Sequence, residues 1–139
     1  MTLYILDTDH LSLYQRGDLK VRSRFAQIPH QQIAITVITA EEQIRGRMAQ
    51  IRAAQNESAH IQAYQWLCET LDILKDFTIL TYDAKASGIY DSLRQQKLRI
   101  GTQDLRISAI TLAAGATLVT RNRNDFGQVS ALSLEDWTK

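Results

Sequence analysis

Apolar residues in this chain fall into two alternating rhythms. Short unbroken runs, Leu3–Leu6 and Ile33–Ile38 first among them, are rich in β-branched residues and predict strands. Between them, apolar positions recur every three or four residues, the spacing of a helix with one buried face. Asp7-Thr8-Asp9 opens a helix running to about Arg16, and a second spans roughly Lys20–Ile28 and stops before Pro29. Thr39 can cap a long helix whose core stripe is Ile44, Met48 and Ile51. Ser58–Leu74 reads as its partner, with Ile61, Tyr64, Leu67, Cys68 and Leu71 on one face. Phe77–Leu80 is a third strand, and Asp83–Lys97 a helix carrying Ala86, Ile89, Tyr90 and Leu93. Thr102 caps a further helix that Gly115 ends, Thr117–Thr120 is a fourth strand, and Leu132 belongs to a short fifth. Strands alternating with helices predict an α/β fold on a mostly parallel sheet.

Acids recur at the ends of these runs. Asp7 follows the first strand, Glu42 comes shortly after the second, and Asp125 follows the fourth past a basic turn. Asp104 sits in the first turn of a helix, where the helix dipole favours negative charge. In an open α/β sheet, neighbouring strand ends converge on one crevice. Carboxylates gathered there repel one another unless a cation lies between them, and a hard divalent ion with oxygen ligands suits the set. Glu42, Gly46, Ala49 and Ala53 share a stripe, and Gly46, one turn beyond Glu42, leaves that carboxylate uncrowded. Glu41 falls instead on the Ile44–Met48 stripe, so Glu42 is the site candidate.

Composition narrows the classes without choosing among them. At 139 residues the chain suits a single domain, residues 1–139, with a core that needs no disulfide. Its net charge of +1 excludes a globally basic nucleic-acid binder. Locally, Arg94, Lys97, Arg99, Arg106, Arg121 and Arg123 face only Asp104, which reads either as a solvated face or as a phosphate-tracking rim. Cys68 is the only cysteine and reads as a small buried residue. With no basic-then-apolar leader and no apolar run of membrane-spanning length, a cytoplasmic protein is expected, with no membrane partner.

Taken in order, Ile5-Leu6-Asp7-Thr8-Asp9, Thr39-Ala40-Glu41-Glu42 and Gly101-Thr102-Gln103-Asp104 resemble the motifs of PIN-domain nucleases. Thr120-Arg121-Asn122-Arg123-Asn124-Asp125-Phe126 and the closing Leu134-Glu135-Asp136-Trp137 resemble those of the VapC toxins, so the likeness spans essentially the whole chain. Each motif alone is weak, and four in order at these intervals are strong. The resemblance implies a PIN-like three-layer fold, a mostly parallel five-stranded sheet flanked by helices. It also implies an Mg²⁺- or Mn²⁺-dependent endoribonuclease, a homodimer, and inhibition by a cognate VapB-type antitoxin. The antitoxin would cover a surface including Leu11, Leu13, Tyr14, Ile44 and Met48. Relatives of this kind cut transfer RNA in the anticodon arm or ribosomal RNA, and this sequence resembles the former.

Phosphodiester hydrolysis needs an activated water and a stabilised leaving oxygen, which divalent ions supply. Asp7 and Asp104 are assigned as direct ligands, with Glu42 sharing the site or holding one of the ion's waters. Asp125 is a second-site ligand or the base for the attacking water, and Asn122, Thr8 and Thr120 are supporting groups. Arg45, Arg47, Arg94, Arg99, Arg106, Arg121 and Arg123 are candidates for phosphate contacts. Simpler readings stand beside these. Asp9 reads as a cap or surface residue, Thr8 and Thr120 as local backbone partners, and Trp66 and Trp137 as packing residues. His10 is close enough to Asp7 to approach RNA, although the three histidines lack metal-ligand spacing. A non-catalytic PIN-like domain that binds RNA or protein is the alternative in another class. A haloacid dehalogenase-like phosphatase shares the Asp7-Thr8-Asp9 opening but wants a later lysine in a motif, which Lys75, Lys85, Lys97 and Lys139 do not supply.

Overall fold

The computed structural model describes all 139 residues. Five parallel strands form one sheet in the order β3-β2-β1-β4-β5. They are β1 (Tyr4–Leu6), β2 (Ile33–Thr36), β3 (Thr78–Leu80), β4 (Thr117–Val119) and β5 (Ser133–Glu135). Around them lie α1 (Thr8–Gln15), α2 (Leu19–Ala26), α3 (Val37–Ala53), α4 (Glu57–Leu74), α5 (Ala84–Gln95), α6 (Thr102–Ala113) and the single turn α7 (Arg123–Phe126). A short 3₁₀ turn, His30–Gln32, feeds β2.

Side-chain alternation along the strands makes the layers. Ile5, Ala34 and Leu118 point to one side, where they are buried against Tyr90 and Leu93 of α5 and Ile107 and Ile110 of α6. Leu6, Ile33, Ile35 and Val119 point to the other, against Leu11 of α1, Val21 of α2, Leu74 of α4 and Trp137. The expected three-layer arrangement of helices on both faces is therefore present, with an all-parallel sheet. Pairing sets Leu6 opposite Val119 and Ile5 opposite Ala34, so β1 is central and its end lies between the ends of β2 and β4. Strands leave β1 toward β2 and β3 on one side and resume with β4 on the other. That change of direction opens a crevice at the carboxyl ends of the strands.

Several expected boundaries move. Ile38 lies in a helix: β2 stops at Thr36, which itself caps α3 by accepting from the Thr39 N–H at 3.2 Å. The cap of α6 is Gly101, with no side-chain bond, in place of Thr102. The face of α4 also differs. Ala63, Thr70 and Leu74 are buried, while Ile61 and Tyr64 are 67% and 55% exposed and Cys68 and Leu71 are exposed. Small residues let α4 lie close on α3, so the bulky apolar stripe turns outward. Met48, expected in the core, is likewise exposed. No helix is long and apolar enough to cross a membrane.

Candidate active site

Asp7, Glu42 and Asp104 line one cleft with Thr8, Asp9 and Arg121 at the crevice between β1 and β4. Asp7 follows β1 and is the N-cap of α1: its Oδ1 accepts from the His10 N–H at 2.7 Å. It is nearly buried, so helix cap and site residue are one group. Glu42 stands in the second turn of α3, and Asp104 in the first turn of α6. Asn122 also lines the cleft and caps α7, accepting from the Asp125 N–H at 3.2 Å, while its amide donates to Asp125 Oδ2 at 3.0 Å.

The acids act on one another. The Asp104 carboxyl is pushed up to about 6, first by burial and then by the charges of Glu42, Asp125 and Asp7. Negative charge from three separate segments thus falls on a single group. Such a donor set, all oxygen and short of positive charge, fits a hard divalent cation.

Glu42 is held by a run of hydroxyls. Thr36 donates to Thr39 at 3.5 Å, Thr39 and Thr8 lie 3.0 Å apart, and Thr8 donates to Glu42 Oε1 at 2.7 Å. Because Thr8 spends its proton on Glu42, Thr39 must donate to Thr8, and the relay runs one way toward the carboxylate. Glu41, by contrast, is exposed and bonds Arg45 and Gln103 outside the cleft. Gly46 is not needed for room, since a Cβ added there meets nothing within 4 Å. Thr120 is buried and accepts from the Asn122 N–H at 3.0 Å, holding the turn between β4 and α7.

The basic residues fall into local groups. Arg121 grips Asp9 with two bonds of 2.7 and 3.1 Å at the lip of the cleft. Arg94 and Arg106 both reach over the Tyr90 ring, at 5.8 and 4.8 Å. Arg45 is paired with Glu41, and Arg47 bonds Thr70 and Gln50. Arg99 and Arg123 have no acidic partner, and Gln128 ties the Arg99 backbone to α7.

His10 departs furthest from expectation. It is fully buried beneath Asp7 and meets Trp137 from the far end of the chain, so it offers no surface to RNA. Trp137 is a packing residue against Tyr4, their rings 5.6 Å apart. The tail's tie to His10 had no local signal in the sequence, because 127 residues separate the partners.

No family model matches the chain. It is 35% identical over 112 residues to Ribonuclease VapC2 of Rickettsia felis, covering 77% of this chain and 75% of that protein. Ribonuclease VapC1 of Haemophilus influenzae strain R2866 is 29% identical over 141 residues, 99% of each chain. The solved structure of VapBC2 from Rickettsia felis, bound to a promoter DNA fragment, matches with a TM-score of 0.77 at 27% identity over 98% of this chain and 99% of that one. Identity of 35% over 77% of the chain, together with the same fold over 98% of it, makes this chain a member of the VapC family.

Proposed function

We propose that this chain is the toxin of a toxin–antitoxin pair, an endoribonuclease that hydrolyses RNA phosphodiester bonds with Mg²⁺ or Mn²⁺. The convergence of Asp7, Glu42 and Asp104 on one cleft is the observation that carries the reading. Relatives bearing the name ribonuclease and the family's paired VapBC complexes support it.

Asp7 and Asp104 hold the cation directly, and its charge offsets the repulsion among the acids. When bound, the ion supplies an acidified water and stabilises negative charge at phosphorus. Glu42, fixed by the threonine relay, orients water in the cleft. Asp125, steadied by Asn122, takes the proton from the attacking water. Water adds to phosphorus, the bond to the 3′ oxygen breaks, and that oxygen takes up a proton, leaving a 5′-phosphate and a 3′-hydroxyl. Arg121 sits where it can exchange Asp9 for a substrate phosphate, and Arg45, Arg94, Arg99, Arg106 and Arg123 contact the RNA backbone. A single-stranded transfer RNA loop is the proposed substrate. The 139 residues act as one domain in the cytoplasm, as a homodimer, and a cognate VapB-type antitoxin covers the cleft.

A fluorescently quenched RNA, titrated with Mg²⁺ beside Asp7→Asn and Asp104→Asn, tests this. Cleavage should require the ion and fall at least about 1,000-fold in each variant while circular dichroism stays unchanged. RNA that binds but is never cut would favour the non-catalytic domain. Sequencing RNA ends after induced expression identifies the substrate.

A further inference from the structure

His10 lies wholly out of solvent between Asp7 and the carboxyl-terminal segment. The backbone N–H of Trp137 donates to its Nε2 at 3.2 Å. A ring nitrogen that accepts carries no proton, so the ring's proton sits on Nδ1. That Nδ1 is a buried side-chain polar atom with no hydrogen-bond partner. It lies 3.3 Å from Asp7 Oδ1, the same oxygen that accepts from the His10 backbone N–H at 2.7 Å. One oxygen of the carboxylate is thus bonded by the His10 backbone N–H and faced, without a bond, by the Nδ1–H of the same residue.

We propose that His10 is a positioning residue for Asp7. Its backbone N–H bonds Oδ1 and its Nδ1–H lies against the same oxygen at 3.3 Å without hydrogen-bonding it, which turns Oδ2 to the cleft as the oxygen that takes the cation. The inference rests on the reading of Asp7 as a metal ligand. His10 does not itself bind the ion, although its ring lies within 4.8 Å of the Asp7 and Asp9 carboxylates. A protonated Nδ1 has no lone pair to give, and reversing the tautomer would forfeit the Trp137 bond. Asp136, whose Oδ1 is 3.7 Å from Nε2, does not compete for the ring. Its oxygen is already taken by the Thr138 N–H at 2.8 Å and hydroxyl at 2.6 Å. The carboxyl-terminal segment thus belongs to the site through the tautomer it imposes.

Two-bond proton–nitrogen spectra of the metal-free, full-length chain read the tautomer directly. A proton on Nδ1 is expected, and a proton on Nε2 overturns the proposal. Two substitutions then separate positioning from packing. His10→Asn keeps an N–H near the Nδ1 position, whereas His10→Gln sets its amide oxygen near Nε2, where it accepts from Trp137, and places no N–H near Nδ1. His10→Asn leaves the Trp137 N–H without its acceptor, so it should melt earlier than the parent. Only His10→Gln should weaken Mn²⁺ binding, by about 10-fold in electron paramagnetic resonance titrations, with His10→Asn within about 3-fold of the parent. Equal affinities in the two variants, whether both lost or both retained, overturn the proposal. Asp7→Asn titrated alongside judges the underlying reading, since unchanged Mn²⁺ affinity there refutes the ligand assignment whatever the tautomer. Should a variant fail to fold, the spectrum of the parent still decides.

Discussion

Asp104 bears the electrostatic strain of the cleft. Burial and the charges of Glu42, Asp125 and Asp7 raise its carboxyl to about 6, against 3.8 for a free aspartate. Between those values the folded chain binds the proton more tightly than the unfolded chain does. Stability contributed by the protonated group is therefore full below about pH 4 and is lost as pH climbs through 6. Asp104→Asn removes the charge, so urea unfolding at pH 7.5 should show a gain of about 1 kcal/mol, reduced from the full shift because the group is half exposed. Near pH 4 that gain should vanish. An equal effect at both values would mean that neither burial nor the neighbouring acids raise the Asp104 carboxyl. Mg²⁺ should likewise raise the melting temperature more at pH 7.5 than at pH 5. The choice of Glu42 over Glu41 was readable from helix phase, since the two lie about 100° apart on α3. The burial of His10 was not, because its fate depends on Trp137.

Where α3 begins decides how Glu42 is held. Expecting a cap at Thr39 followed the β-branched run to its end, yet β2 yields to helix three residues earlier. Thr36 caps the helix, and Thr39, freed from that duty, links Thr36 to Thr8 and so to Glu42. Thr39→Val keeps the shape but breaks the relay. RNA cleavage should fall about 10-fold, with a loss of about 1 kcal/mol in stability for the broken hydroxyl bonds. Combined with Glu42→Gln, the kinetic effects should not add, because both act through one carboxylate. Full additivity would show that the relay is idle. On α4 a similar lesson holds: hydrophobic weight selected Ile61, Tyr64, Cys68 and Leu71, while close packing selected Ala63, Thr70 and Leu74. A periodic stripe names a helix, but not which side its neighbour can approach.

A net charge of +1 over the entire molecule conceals an acid-lined cleft and separate groups of arginines. Arg45, Arg94 and Arg121 already have acidic partners and must release them to reach phosphate. Arg99 and Arg123 have none, so they should contribute first to RNA binding. Removing both, as Arg99→Ala with Arg123→Ala, should weaken binding and flatten the dependence of affinity on salt by about 1.4 in log–log slope for single-stranded RNA. Fluorescence anisotropy across a range of NaCl concentrations measures it. An unchanged slope would remove these two from the interface.

Strand and helix identities, the parallel α/β class and the cleft shared by Asp7, Glu42 and Asp104 were legible from residue order, because periodicity and strand-end chemistry are local. The family likeness rested on the same short motifs. Burial of His10, the outward turn of α4 and the path from Thr36 to Glu42 were settled only when distant segments met. Each depends on which atoms of remote residues come within hydrogen-bonding or packing distance, and residue order along one segment does not encode that.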